Sequence, residues 1–158
     1  MTKAFAIASV RKTLVVNAPQ AHTFDVFTSR LDSWWPKGHG IGKTPIKQSF
    51  IEPRNGGRWY TTHEDGSEVV IGHMRAWEPP SRIVFSWEIG ADWKPDPTVA
   101  SEVEISFIAE TARTTRVQLE HRNFEALGEE GGERMRGSVD GGWPGLLELF
   151  KKKAEALG

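Results

Sequence analysis

The last thirty residues constrain this chain most. Counting from Trp143 within the run Asp140–Leu157, apolar residues recur at +3, +4, +7, +11 and +14. That spacing lays Trp143, Leu146, Leu147, Phe150, Ala154 and Leu157 along one face of a helix. Met135 and Val139 extend the stripe upstream. Lys151, Lys152 and Lys153 fall in the later turns, where cations suit the negative end of the helix dipole. A stripe this long needs an apolar surface to cover it, and the strand-rich middle of the chain supplies one. The expected architecture is a long C-terminal helix clasped by a curved sheet.

The strands are legible in order. Ala6–Val16 reads as a first strand, stopped by Asn17-Ala18-Pro19. Pro19–Phe27 and Arg30–Trp35 read as two short helices, the first opened by Pro19 and the second stopped by Pro36. Both are too short to stand alone and must pack on the sheet. Ile46–Glu52, Arg58–His63, Glu68–Trp77, Ser81–Glu88, Glu102–Ile108 and Thr115–His121 follow as strands. Asn55-Gly56 marks a hairpin turn. Short turns imply antiparallel pairing, with one apolar and one polar face per strand. Period two places Ile83, Phe85, Trp87, Val103, Ile105, Phe107, Val117, Leu119 and His121 on the concave face. The fold class expected is α+β, with seven strands, and residues 1–158 form one domain whose core spans about 10–157.

Composition removes several classes of function. Lys plus Arg number 20 and Asp plus Glu 21, which gives no electrostatic case for nucleic acid or an anionic membrane. Without cysteine there are no disulfides, thiolate catalysts or thiolate-held metals. The five histidines show no H-x-H, H-x-x-x-H or H-E-x-x-H spacing, so no metal and no cofactor is expected. No serine sits in a G-x-S-x-G elbow. No stretch approaches the roughly 20 apolar residues of a membrane span. The apolar run before Arg11 is too short for a secretory signal, which places the chain in the cytoplasm by default. Gly42-Lys43-Thr44 matches the tail of a phosphate-binding loop, but Lys37 replaces its first glycine and Pro45 blocks the helix that must follow. Lys37–Thr44 is instead expected as a mobile loop beside a pocket mouth.

Three segments together carry a family resemblance. Gly72-His73-Met74-Arg75-Ala76-Trp77-Glu78-Pro79-Pro80-Ser81-Arg82-Ile83-Val84-Phe85-Ser86-Trp87 resembles the central hairpin of proteins similar to the activator of heat-shock protein 90 ATPase. Thr115–Phe124 resembles their last strand, and Gly142-Trp143 with Leu146, Leu147 and Phe150 the helix after it. The resemblance spans about Val10 to Leu157. It implies the START-like (SRPBCC) helix-grip fold, with seven antiparallel strands around the long helix and a cavity between them. It speaks for fold rather than activity.

Seven tryptophans suggest an aromatic-lined pocket, since ligand sites are built mainly from apolar and aromatic side chains. The ligand-binding candidates are Trp34, Trp35, Trp59, Phe85, Trp87, Phe107, His121 and Trp143. Gly137, Gly141 and Gly142 each cost the helix about 1 kcal/mol relative to alanine. Pro144 is expected to kink or restart it. These choices point either to a gap facing the sheet or to close packing at small residues. His121 is the one titratable group on the apolar face, so it is also the catalytic candidate. Arg58 and Arg75 are strand residues whose faces stay open, and either could receive a ligand's acid group.

The leading expectation is a non-catalytic or weakly catalytic binding domain for a small hydrophobic, aromatic or lipid-like molecule, serving metabolism or the stress response. The alternatives are a cyclase- or hydrolase-like enzyme using His121 as acid/base, and a chaperone-contacting module. The oligomeric state is not fixed, and a homodimer stays open.

Overall fold

The computed structural model describes residues 5–157. Its strands are β1 (Val10–Val16), β2 (Ile46–Ile51), β3 (Arg58–His63), β4 (Glu68–Glu78), β5 (Arg82–Trp87), β6 (Ser101–Thr111) and β7 (Thr114–Arg122). Helix α1 spans Gln20–Thr28 and α2 spans Glu129–Leu157. All seven strands join one antiparallel sheet in the order β1-β7-β6-β5-β4-β3-β2. Strands β2 to β7 form a meander. Strand β1 closes the far edge by pairing Val10 with His121 and Val16 with Thr115.

The sheet curls because β4 slips register twice. One shift lies between Trp59 and Tyr60 on the β3 side, the other between Met74 and Ala76 on the β5 side. Gly72 sits between them. A Cβ there would stand 1.6 Å from the Ser86 carbonyl oxygen, so only glycine allows the strands this close.

Helix α2 lies in the resulting trough and buries Met135, Val139, Trp143, Leu146, Leu147, Phe150 and Ala154. Every residue expected on the concave face of β5, β6 and β7 is buried. Helix α1 adds Phe24 and Phe27, which meet Phe107 edge-on at 5.1 and 5.9 Å. Aromatic edge contacts of this kind add to plain area burial.

Four local expectations are corrected. Strand β1 starts at Val10, not Ala6, because the Arg136 guanidinium takes the carbonyls of Ala8 (2.7 Å) and Ser9 (3.4 Å). The second short helix shrinks to a 3₁₀ turn, Leu31–Ser33. There Ser33 Oγ bonds back to the Arg30 carbonyl at 2.6 Å, and Asp32 accepts from the Ser49 amide at 2.9 Å. Such side-chain bonds compete with a continuing helix. Helix α2 does not restart at Pro144 but continues through it, with buried residues on both sides of the proline. Leu157 leaves the stripe and is exposed.

Candidate functional site

A cavity of about 170 Å³ opens between the middle of α2 and the sheet. Ser138, Val139, Gly142, Trp143 and Leu146 line it from α2, Ile71 from β4, and Trp87 and Ile89 from β5 and its exit. Trp35, His39 and Ile41 come from the segment after the 3₁₀ turn, and Trp93 from the loop after β5. The lining is mostly apolar, with His39 and Ser138 as polar side chains.

Local chemistry fixes each wall. Trp35 Nε1 donates to the His39 carbonyl at 3.2 Å. The far end of the glycine loop is tied by His63, whose Nδ1 donates to the Thr44 carbonyl at 2.7 Å. A carbonyl only accepts, so Nδ1 must carry the proton. The loop expected to be free is therefore anchored at both ends. Trp93 crowns a tight reversal in which its amide donates to the Gly90 carbonyl at 2.8 Å. It is 41% exposed with φ of 60°, a left-handed conformation that costs a bulky residue about 1–2 kcal/mol. Its side chain lines the cavity.

Four indoles close a ring under the cavity. Trp35 meets Trp59 at 5.0 Å, Trp59 meets Trp87 at 6.4 Å, Trp87 meets Trp143 at 5.7 Å and Trp143 meets Trp35 at 6.4 Å. Trp35, Trp87 and Trp143 face the cavity, while Trp59 is wholly buried. The Nε1 atoms of Trp59 and Trp87 are buried without a hydrogen-bond partner. Each such donor costs about 1–3 kcal/mol.

His121 is not a cavity residue. Trp143 Nε1 donates to its Nδ1 at 3.1 Å, so Nε2 carries the proton and donates to Ser101 Oγ at 2.8 Å. Its ring stacks on Phe124 at 4.7 Å. Burial pushes its pKa down to about 3. Both nitrogens are occupied, and a second proton is taken up only near pH 3. His121 therefore anchors Trp143 and is unfit for acid/base work near neutrality.

Of the eight candidates, Trp35, Trp87 and Trp143 line the cavity, and Trp34, Trp59, Phe85, Phe107 and His121 do not. Trp34 lies beyond the ring, donating to the Val26 carbonyl at 3.0 Å and packing on Phe150 at 5.4 Å. Phe85 and Phe107 are core residues. Period-two alternation finds the inner face but cannot say which part of that face is filled. Neither Arg58 nor Arg75 lines the cavity. Arg58 pairs with Glu52 at 3.3 Å and covers the Tyr60 ring, and Arg75 pairs with Glu102 at 2.6 Å. His39, Ile41, Ile71, Ile89, Trp93, Ser138, Val139, Gly142 and Leu146 were not among the candidates. The glycine-rich loop was the signal for the first two.

Among the described residues no group of three or more His, Asp or Glu is placed to hold a metal ion. No described helix is long and apolar enough to cross a membrane.

The family model described as Activator of Hsp90 ATPase homolog 1-like protein matches residues 17–155. The chain belongs to that family. Among solved structures, this family member is similar to an anthrahydroquino-γ-pyrone synthase at 37% identity and a TM-score of 0.66, over 93% of this chain and 97% of the other. It is similar to CalC, a self-sacrificing resistance protein from Micromonospora echinospora, at 28% identity and 0.70, over 95% and 96%. A protein from Nitrosomonas europaea at 13% identity and 0.68, over 95% and 96%, shares the fold. The helix-grip fold is thus shared by this chain and these neighbours. No curated protein sequence matches the chain.

Proposed function

We propose that the chain binds a planar, fused-ring aromatic molecule of the anthraquinone kind in the tryptophan-lined cavity. The observation that carries this is the joining of three indole walls and Trp93 at one opening. The 37% likeness to a synthase named for an anthrahydroquinone product supports the same class. Size sets the pose. A cavity of about 150 Å³ accommodates one benzene ring, so 170 Å³ takes one ring of a fused system. The remaining rings stand in the mouth between Ile41 and Trp93. Indole walls favour edge-on and offset contact with such rings, which an acyl chain does not exploit.

Calorimetric titration with alizarin, a three-ring hydroxyanthraquinone, against palmitate tests the reading. Saturable binding of alizarin alone is expected. Binding of palmitate alone overturns it.

A second reading, favoured by the same likeness, is ring closure on the bound molecule. A phenol oxygen would bond to a side-chain ketone carbon, and the hemiketal would then lose its hydroxyl with an α-proton as one water. His39, the one histidine lining the cavity among the described residues, would relay those protons. Wild type should speed closure of 1-(2-hydroxyphenyl)butane-1,3-dione to 2-methylchromone, and His39→Ala should not. Equal rates with and without protein would remove this reading.

A further inference from the structure

Glycine inside a helix normally has a steric reason. Gly132 of α2 has one, since a Cβ there would meet the Phe124 carbonyl oxygen at 2.3 Å. Gly142 has none. A Cβ would find no neighbouring heavy atom within 4 Å, and its backbone is helical. Yet glycine at this position costs the helix about 1 kcal/mol relative to alanine. Gly142 borders the cavity, beside Trp143 and one turn before Leu146. The space at its Cα is open and borders the cavity.

Gly137 shows the same vacancy, but it is exposed and does not line the cavity. It is an internal control for helix propensity.

We infer that Gly142 is the specificity determinant of this site: the missing side chain is a bay against which one face of a flat ring lies, and it sets how many fused rings the cavity admits. The inference rests on the aromatic-ligand reading above. It predicts that, between Gly142 and Gly137, stability and affinity move in opposite directions only at Gly142.

The test is calorimetry with alizarin and the two-ring probe 2-naphthol, paired with thermal melts, on wild type, Gly142→Ala, Gly142→Leu and Gly137→Ala. Gly142→Ala and Gly137→Ala should both raise the melting temperature. One added carbon in a fitted apolar site is worth roughly tenfold or more in affinity. Gly142→Ala should therefore weaken alizarin by about that factor and 2-naphthol by less. Gly142→Leu should abolish alizarin binding, and Gly137→Ala should leave it unchanged. If wild type binds alizarin and Gly142→Ala binds it within about twofold, below the discrimination a single carbon supplies, the inference fails and the parent reading stands. If wild type itself binds no alizarin, both fall.

Discussion

His121 makes the buried interior answer to mild acid. Its folded pKa is pushed down to about 3 by burial, against 6.5 for an ordinary histidine. The unfolded chain therefore takes up a proton below pH 6.5 that the folded chain refuses until about pH 3. Stability from this group is fully present above 6.5 and is lost progressively as pH falls toward 3. Between pH 7 and pH 5 the loss comes to about 2 kcal/mol. Isolating this one group calls for a difference measurement. Urea unfolding of wild type and His121→Gln at both pH values isolates the term. The variant starts lower, because glutamine cannot reproduce the ring stacked on Phe124. Its additional loss on going to pH 5 should be smaller than that of wild type by about 2 kcal/mol. Equal losses in the two proteins would refute a neutral, hydrogen-bonded His121.

Other consequences follow from single residues. Gly72→Ala should cost about 3 kcal/mol or more in urea unfolding, because its Cβ would overlap the Ser86 carbonyl oxygen; a midpoint unchanged from wild type contradicts the register of β4 and β5. Trp93→Gly should raise the melting temperature by releasing a left-handed tryptophan and should weaken alizarin binding; a stability gain with unchanged affinity would detach Trp93 from the site. On the convex face, Glu104 accepts from Arg82 and Arg122, both at 2.6 Å, and these bonds hold its carboxyl below the usual 4.5. Its contribution is present above pH 4.5 and lost as acid titrates it. Arg122→Gln should therefore flatten the acid limb of the stability profile below pH 4.5, which pH-resolved melts read directly.

The helix stripe and the strand alternation foretold the fold well, because burial sets both periods directly. Val103, Ile105 and Phe107 declare an inner face by chemistry alone, and Trp143 declares the side of α2 that meets it. What periodicity could not supply is depth along that face. Phe85 shares the alternation of Trp87, yet it packs against Trp59 at 4.8 Å, and of the two only Trp87 faces the opening. His121 met the criteria for an acid/base residue, but its partners Ser101 and Trp143 lie 20 and 22 residues away in sequence. Trp93 carries no period at all, since a tight reversal and not a strand or helix presents it. Gly142 was legible as a helix-weakening choice, and only the empty space beside it distinguishes a gap from close packing.

Ligand binding in the cavity is tested most directly by the indole amide signals of the seven tryptophans, followed by two-dimensional nitrogen–proton NMR during alizarin titration. The signals of Trp35, Trp87, Trp93 and Trp143 should shift together and saturate, while Trp77, which packs on Phe24 at 5.3 Å away from the cavity, stays still. Saturable binding that moves Trp77 and leaves those four unmoved would contradict a ligand site between the tryptophan ring and helix α2.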